Sequence, residues 1–350
     1  MSASGRPLVS VVTPVFNGER YLADCIASVL AQTYPNFEYV IVNNQSTDGT
    51  RRIAERFAAT DSRMRIVDTP SFFKIIDNWN FSIKQIHEAS AYCKELHADD
   101  LLEPTCLEKM VALAEAHPTV GIVGSYVRKG NRVVAQLPYS DPVVSGREVC
   151  ARTLLRHFYA FGSPTSLLVR SEIVRTREPF YDTKYYHADA DVCFAILRSW
   201  DFGFVYQVLS MTREHDESVS STFAGRMRSN VVESLGRLRT YGPEFLPAHV
   251  YERWRREELK NYYRFLARNV VFERDREVWK FQRETLVRMG YEFDRLRFAR
   301  ALWWLFAEHV FNPKRTLGEI IRRWRSDPRA LPAMPRSTVD QPPTPGASSG

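Results

Sequence analysis

The sequence predicts an α/β fold in which a mostly parallel β-sheet carries helices on both faces. Two observations predict this class. Over the first 125 residues, short β-branched segments alternate with segments in which apolar residues recur at helical spacing. Small polar clusters also follow several predicted strands, where parallel strands would end at a common edge. The alternation favours a parallel sheet, because parallel strands are joined by long, usually helical crossovers.

The first part of the chain supplies the strands and helices of that sheet. Pro14 is expected to end the first strand, whereas Pro104 occupies the favoured first position of a helix. Strands are predicted over residues 8–13, 38–43, 65–68, 91–96 and 120–123. Helices are predicted over residues 20–32, after the second strand as far as about 59, and over 78–89 and 104–117.

The pattern becomes mixed between residues 126 and 222. Gly130-Asn131 predicts a hairpin. Further strands are expected over 166–169 and 203–208, with a helix over 189–200 between them. Beyond residue 226 the chain is strongly helical, and its tail is rich in Pro, Ser and Gly, which is typical of disordered segments.

Composition limits the class of protein. The 350 residues are 44% hydrophobic and 25% charged, an ordinary composition for a soluble chain. No apolar segment is long enough to span a membrane and the start lacks a signal peptide's apolar stretch, so a cytoplasmic location is expected. The five cysteines form no CxxC pair and are expected to be reduced. The chain has neither a Gly-rich dinucleotide fingerprint nor a P-loop, which disfavours both of those enzyme classes.

The net charge of +7 is unevenly distributed. Residues 226–329 contain 24 Lys/Arg and 14 Asp/Glu, whereas the rest of the chain contains 24 and 27. The basic excess therefore belongs to the helical third. No nucleic-acid-binding motif accompanies this charge, so a nucleic-acid partner is not expected.

The polar clusters after the strands are the candidate ligand-binding segments. They are Pro14 to Glu19, Asn43 to Thr50, and His97 to Asp100. In open α/β sheets, ligands bind at the carboxyl ends of the strands. The sequence therefore predicts that these segments meet in one site.

Taken in order, these segments resemble glycosyltransferase family 2. The resemblance rests on Val11 to Asn17, Val42 to Thr50 and Leu96 to Asp100, and it covers roughly residues 8–222. Asp189-Ala190-Asp191 resembles the family's catalytic acidic motif, and Arg213-Glu214-His215 its Arg-x-His loop. The family implies the GT-A fold.

The resemblance divides the chain into three parts. A GT-A catalytic domain is expected over 1–225, with a nucleotide-binding part at about 8–125 and an acceptor part at about 126–222. A basic helical region follows over 226–327, and a disordered tail over 328–350.

The family implies metal-dependent, inverting sugar transfer from a nucleotide-diphosphate donor to an acceptor hydroxyl. Asp99 and Asp100 are expected to hold Mn²⁺ or Mg²⁺, since these hard cations suit carboxylate oxygen ligands. His215 is a further candidate ligand, and His97 replaces an aspartate of the usual D-x-D motif. The structural alternatives are a helix-capping acidic pair before Pro104 and an ordinary surface or core histidine.

Asp189 and Asp191 are the candidates for the catalytic base. Residues i and i+2 do not share a helix face, so only one of them is expected to point into the site. Asp189 aligns with the family's base and is preferred. Either carboxylate can instead simply stabilise the start of the helix through its dipole.

The nucleotide-sugar contacts are also transferred from the resemblance. Asn43 and Asn44 replace an Asp pair that often reads uracil, and an amide can both donate and accept hydrogen bonds. Asp48 is interpreted as a helix cap, and the segment from Lys74 to Asn78 can equally be a solvated helix start. The expected contacts are Pro14, Phe16, Asn17, Glu19, Asn43, Asn44, Lys74, Asn78, Asp99 and Arg213.

The basic helical third has two interpretations. Residues 298–311 are too short and too charged to span a membrane, but residues 298–325 can lie in the interface of the inner membrane. Alternatively, this helix packs on the catalytic domain or on a second protomer, in a homo-oligomer. For the whole protein, the alternatives to a transferase are a catalytically silent nucleotide-sugar-binding module and a sugar nucleotidyltransferase.

Overall fold

The computed structural model describes residues 5–134, 137–139, 141–214 and 223–311. The strands are β1 (Val9–Val15), β2 (Phe37–Asn43), β3 (Met64–Asp68), β4 (Tyr92–Glu95), β5 (Leu101–Leu102), β6 (Val120–Lys129), β7 (Arg132–Val134), β8 (Val143–Val144), β9 (Leu167–Arg170) and β10 (Asp201–Thr212). The helices are α1 (Leu22–Leu30), α2 (Thr50–Ala58), α3 (Ile75–Ile83), α4 (Cys106–Ala116), α5 (Gly146–Leu154), α6 (Ser171–Thr176), α7 (Ala188–Ile196), α8 (Phe223–Met227), α9 (Ser229–Phe245), α10 (Ala248–Arg268), α11 (Arg276–Arg288) and α12 (Arg295–Phe311).

One mixed sheet organises the molecule, with strand order β3-β2-β1-β4-β9-β6-β10-β5. The strands β3, β2, β1 and β4 run parallel, as do β6 and β10, whereas β9 is antiparallel to both of its neighbours. Two short strands pair at the sides, β7 with β6 and β8 with β10, both antiparallel. The predicted α/β class is confirmed, and the Gly130-Asn131 hairpin joins β6 to β7.

Successive residues of the central strands pack on opposite faces of the sheet. Val11 and Ile41 belong to the core under α1, α2 and α4, whereas Val12 and Val40 belong to the core shared with α7 and α9. This alternation follows from the two-residue period of a strand. The sheet is therefore covered on both sides. All five cysteines are buried and free, as predicted.

Pro14 does not end the first strand, which continues to Val15. Pro14 pairs in register with Val42 of β2. On the other side, the last bond to β1 is donated by the Leu96 N–H to the Val12 carbonyl, so β4 has ended where a Pro14 N–H would point. The missing donor of proline therefore leaves no ladder bond unmade.

One predicted helix has the wrong bounds, and another helix was not predicted. The third helix runs over Ile75–Ile83 rather than 78–89, because the chain turns after Lys84 to enter β4. The helix α5 lies in a segment for which no helix was predicted.

The C-terminal helices pack on the part of the molecule that contains the sheet. Residues of α9, α10 and α12 share one apolar core with residues of α5 and α7. On α12, Ala301 and Leu305 are buried, and the Phe298 ring lies 5.1 Å from that of Trp279. The packing interpretation of α12 therefore holds for one of its faces. Within the described ranges, no helix combines the length and the apolar character needed to cross a bilayer.

Candidate active site

A cavity of about 2740 Å³ opens at the carboxyl ends of β1, β4 and β10. One side is formed by the segments that follow these strands, including Pro14 to Gly18 and His97 to Asp100. The other side is formed by α9, α10 and α12. The strand-end segments after β1 and β4 meet here as predicted, and the basic helical region contributes a large part of the wall.

The loops after β1 and β2 are joined by hydrogen bonds. Asn17 Oδ1 accepts a 2.9 Å bond from the Thr47 N–H, and Glu19 Oε2 accepts a 2.5 Å bond from the Gly49 N–H. Asp48 accepts a 3.0 Å bond from the Glu19 N–H. Asn17 lines the cavity, but Glu19 is not among the lining residues, so its carboxylate serves the loop rather than the cavity.

Asn43 and Asn44 are buried and use their amides within the protein. Asn43 donates a 2.8 Å bond to Asp68 Oδ1. Asn44 donates a 2.9 Å bond to the Phe73 carbonyl and accepts a 2.9 Å bond from the Phe73 N–H. Only Asn44 lines the cavity. The Asn44 side chain thus both donates a hydrogen bond to the Phe73 backbone and accepts one from it. A carboxylate cannot donate, so this pair of hydrogen bonds requires an amide.

Aromatic and amide groups line the cavity beside these loops. The exposed rings of Phe16 and Phe72 meet edge to face, with centroids 5.0 Å apart. Asn78 is buried and lines the cavity, and its Oδ1 has no hydrogen-bond partner within the described ranges. Pro14 also lines the cavity, whereas the exposed Lys74 is not among the lining residues.

His97, Asp99 and Asp100 form a compact cluster after β4. One ligand atom from each lies within 4.8 Å of the others. Asp100 is buried, and its Oδ2 accepts a 2.6 Å bond from the Thr165 hydroxyl. Its Oδ1 accepts a 3.2 Å bond from the Arg213 N–H. The pKa of Asp100 is raised to about 6, mainly by burial and to a smaller extent by the negative charge on Asp99.

The imidazole of His97 is held between an aromatic ring and a carboxylate. It stacks on Trp79 with centroids 4.9 Å apart, and its Nε2 lies 3.5 Å from Glu95 Oε1. Burial alone would lower the pKa of His97, but Glu95, together with the charges on Asp100 and Asp99, raises it to about 9.

This donor set fits a divalent cation. Asp99 and Asp100 supply carboxylate oxygens, which suit Mg²⁺ and Mn²⁺. Asp100 is oriented by three donors, since the Thr212 hydroxyl lies 3.4 Å from its Oδ2 in addition to the Thr165 and Arg213 bonds. Such outer-shell bonds are typical of metal-ligating carboxylates.

Arg213 reaches the cavity from the end of β10. Its guanidinium forms a 2.7 Å ion pair with Asp24 and lies 5.1 Å from the centre of the Tyr21 ring. Arg213 lines the cavity next to Asp100. His215, the other predicted contact of this loop, lies outside the described residues.

Asp189 and Asp191 point to different places, as their spacing predicts. Asp189 lines the cavity from the first turn of α7. Burial raises the pKa of Asp189, although the positive charges on His187 and Arg237 act in the opposite direction. Asp191 is buried, accepts a 3.0 Å bond from the Tyr241 hydroxyl, and is not among the lining residues. The geometry therefore leaves Asp189 as the carboxylate of this pair that faces the cavity.

Several contacts that support the site were missed in the sequence. Thr165 and Thr212, which bind Asp100, lie far from it along the chain. Lys94 is fully buried, and its ammonium donates to the carbonyls of Thr165 and Leu167. The one signal of these contacts in the sequence is a lysine within a predicted strand. A buried amino group needs fixed acceptors, so Lys94 indicates that carbonyl groups lie close to this strand.

Comparisons with known proteins agree with this arrangement. The model of the family "Glycosyl transferase family 2" matches residues 10–200. The "Putative glycosyltransferase EpsE" of Bacillus subtilis is 31% identical over 163 residues, which are 44% of this chain and 58% of that protein. The chain thus spans little more than half of that relative.

Solved structures share the fold. S. aureus TarS 1–349 in complex with UDP-GlcNAc superposes with a TM-score of 0.60 at 15% identity, covering 81% of each chain. The mannosyltransferase PcManGT from Pyrobaculum calidifontis in complex with GDP-Man and Mn²⁺ gives a TM-score of 0.51 at 15% identity, covering 90% of this chain and 84% of that one. The shared architecture is the GT-A fold that the resemblance implied. Because the family model covers more than half of the chain and its motif segments meet at the strand ends, the protein belongs to glycosyltransferase family 2.

Proposed function

We propose that the protein is an inverting glycosyltransferase that moves a sugar from a nucleotide-diphosphate sugar to an acceptor hydroxyl. The observation that carries this proposal is that one cavity is lined by both Asp189 and the cluster of His97, Asp99 and Asp100. A single displacement needs a base at the acceptor and stabilisation of charge at the leaving diphosphate. The cavity offers a group for each task.

Asp189 is the proposed base. It takes the proton of the acceptor hydroxyl while the hydroxyl oxygen forms a bond to the anomeric carbon. The bond from that carbon to the phosphate oxygen breaks on the opposite face, and its electron pair stays on the diphosphate. Partial burial suits this role, because a raised pKa makes a carboxylate a better proton acceptor near neutral pH.

Asp99 and Asp100 are the residues proposed to hold Mn²⁺ or Mg²⁺, with His97 beside them and His215 a further candidate. A bound cation would supply positive charge opposite the diphosphate. The Mn²⁺ in the Pyrobaculum complex supports this assignment. Arg213, which lines the cavity next to Asp100, is proposed to contact the diphosphate as well.

The donor is proposed to be a UDP- or dTDP-linked hexose or N-acetylhexosamine. The UDP-GlcNAc complex of TarS supports this class. Phe16, with Phe72 against it, offers an apolar surface for the nucleotide at the mouth of the cavity. Asn17 and Asn78 provide amides nearby, whereas Asn43, Glu19 and Lys74 do not line the cavity and are weaker candidates.

The acceptor is proposed to be a saccharide or a lipid-linked saccharide in polysaccharide, O-antigen or glycolipid synthesis. The acceptor is proposed to occupy the part of the cavity that is lined by α9, α10 and α12. On α12, Leu296, Trp303 and Phe306 are exposed. Basic side chains follow in the sequence, at Lys314, Arg315, Arg322, Arg323 and Arg325. This combination supports peripheral contact of residues 298–325 with the cytoplasmic face of a membrane.

The test is to incubate the protein with a panel of nucleotide sugars, Mn²⁺ and a set of octyl glycosides, and to follow release of nucleotide diphosphate. Asp189→Asn should reduce transfer by at least about 100-fold, the usual contribution of a general base. Asp191→Asn separates the two candidates, because its carboxylate faces Tyr241 rather than the cavity.

Each alternative has its own result. Binding of a nucleotide sugar without transfer to any of the acceptors would favour a catalytically silent binding module. Formation of a nucleotide sugar and pyrophosphate from a sugar phosphate and a nucleoside triphosphate would favour a nucleotidyltransferase. Transfer that survives Asp189→Asn would contradict the base assignment.

A further inference from the structure

A fully buried carboxylate of the helical region binds the segment that leads into α7. Glu233, on α9, accepts a 2.8 Å bond from the Tyr186 N–H and a 3.1 Å bond from the His187 N–H. Its Oε2 also lies 3.0 Å from His187 Nδ1. None of the Glu233 side chain is exposed, whereas 35% of the His187 side chain is. The carboxylate therefore fixes both the backbone and the ring of His187.

Glu233 is ionised in this environment. Burial would raise its pKa, but the bond from His187 and the charges on Arg237 and His187 outweigh burial and lower it. A buried carboxylate bound to Nδ1 keeps the proton of that nitrogen in place and sets the orientation of the imidazole. Nε2 is then the ring nitrogen left for another contact.

His187 lines the cavity beside Asp189. In the part of the chain that the structure describes, Nε2 has no hydrogen-bond partner. The charged groups around the ring are Glu233 and Arg237 of α9 and Asp189 of α7. His187 therefore lines the cavity next to the proposed base, and its Nε2 is available for a ligand.

We propose that His187 binds the acceptor through a hydrogen bond between Nε2 and an acceptor hydroxyl group near the attacking hydroxyl, and that Glu233 is its positioning residue. The proposal rests on the proposed function, since it assigns the acceptor to the cavity side of Asp189. No proton is transferred by His187. The helical region thereby completes the acceptor side of the site instead of only covering it.

The experiment measures acceptor and nucleotide separately. Octyl glycosides are titrated calorimetrically into protein saturated with UDP and Mn²⁺, and UDP affinity is measured on its own. His187→Ala should weaken glycoside binding by about tenfold, the loss expected for one hydrogen bond, and leave UDP affinity nearly unchanged. His187→Gln should recover part of the loss, because its amide can still form a hydrogen bond with a hydroxyl group.

Glu233→Gln tests the positioning role. It should weaken glycoside binding as His187→Ala does and lower the pKa of His187, read from the ring nitrogens by ¹⁵N NMR, because the neighbouring charge is gone. His249→Ala is the matched control, since His249 is exposed on α10 and is not among the lining residues.

Three results would overturn the proposal. They are unchanged glycoside binding in His187→Ala, an equal loss of UDP and glycoside affinity in both His187 variants, and no saturable glycoside binding by the wild type. The base assignment fails separately, through transfer that survives Asp189→Asn while glycoside binding still depends on His187.

Discussion

The Thr165 hydroxyl donates a 2.6 Å hydrogen bond to Asp100 Oδ2 between two fully buried side chains that are 65 residues apart in the sequence. Thr165 belongs to the segment before β9, the antiparallel strand inserted between β4 and β6. The insertion of β9 therefore places the Thr165 hydroxyl as a fixed donor next to Asp100. Through this bond, the part of the chain over residues 126–222 is linked to the proposed metal site.

Thr165→Val should weaken Mn²⁺ binding by about 10- to 100-fold, the usual cost of removing an outer-shell bond to a metal ligand. Valine keeps the shape of threonine but leaves Asp100 Oδ2 with the Thr212 hydroxyl at 3.4 Å. Electron paramagnetic resonance of Mn²⁺ in the presence of UDP measures the affinity. Thr165→Ser is the matched control and should bind normally. Equal Mn²⁺ affinity in wild type and Thr165→Val would show that Asp100 needs no such support.

Asp189→Asn should stabilise the fold while it abolishes transfer. Because burial raises the pKa of Asp189, the folded protein keeps the proton of this carboxyl group at pH values between the ordinary aspartate pKa and the raised one, where the unfolded chain has already released it. Stability of the wild type therefore falls as the pH rises from the ordinary aspartate pKa through the raised one. The variant has no carboxyl group to titrate at this position, so its advantage in melting temperature should grow with pH over that window.

Differential scanning fluorimetry between pH 4 and pH 8 measures this difference. Asp77→Asn is a suitable control, because Asp77 is an exposed acidic residue in the first turn of α3. An advantage of Asp189→Asn that is constant with pH would contradict the assignment of the effect to the buried charge.

Asn44→Asp should destabilise the protein by about 1–3 kcal/mol, the cost of a buried polar group left unpaired. An ionised aspartate cannot donate to the Phe73 carbonyl, and it places a negative charge beside it. Urea unfolding measures the loss. Asn36→Asp is the control, since Asn36 also donates to a carbonyl, that of Arg6, but in an exposed bond. Losses of the same size would indicate that burial of Asn44 is unimportant.

Replacement of Trp303 and Phe306 by serine should reduce binding to phosphatidylglycerol vesicles by about tenfold or more, because two large apolar side chains would no longer enter the interface. Both side chains are exposed, at 62% and 68%. Vesicle sedimentation measures binding, and Val287→Ser, at an exposed apolar residue of α11, is the control. A double variant that binds vesicles normally but no longer dimerises on size-exclusion chromatography would assign this face to a second copy.

The central elements could be predicted because they depend on local pattern. The strands β1 and β2 are continuous apolar segments, and their polar ends identify the site. The bonds that Thr165 and Glu233 form could not be predicted, because their partners, Asp100 and His187, lie 65 and 46 residues away. Such bonds depend on strand order and helix packing, which no local spacing encodes.

A second limit of prediction from the sequence concerns ligand contacts, and it is illustrated by Asn43, Asn44 and Glu19. The sequence places these polar side chains at the strand ends, where ligand contacts are expected. A side chain at such a place can equally bind the backbone of the neighbouring loop, and the sequence does not distinguish the two. In the structure Asn44 binds the Phe73 backbone, and Glu19 binds the Gly49 N–H.

The bonds from Asn17 to Thr47 and from Glu19 to Gly49 have a consequence for the entropy of binding. They join the loops after β1 and β2 into one unit through bonds within the protein itself. The loss of conformational freedom of these two loops therefore occurs when the protein folds rather than when a ligand arrives. A nucleotide that enters beside Phe16 meets a surface that is already ordered, so more of its contact energy remains as affinity.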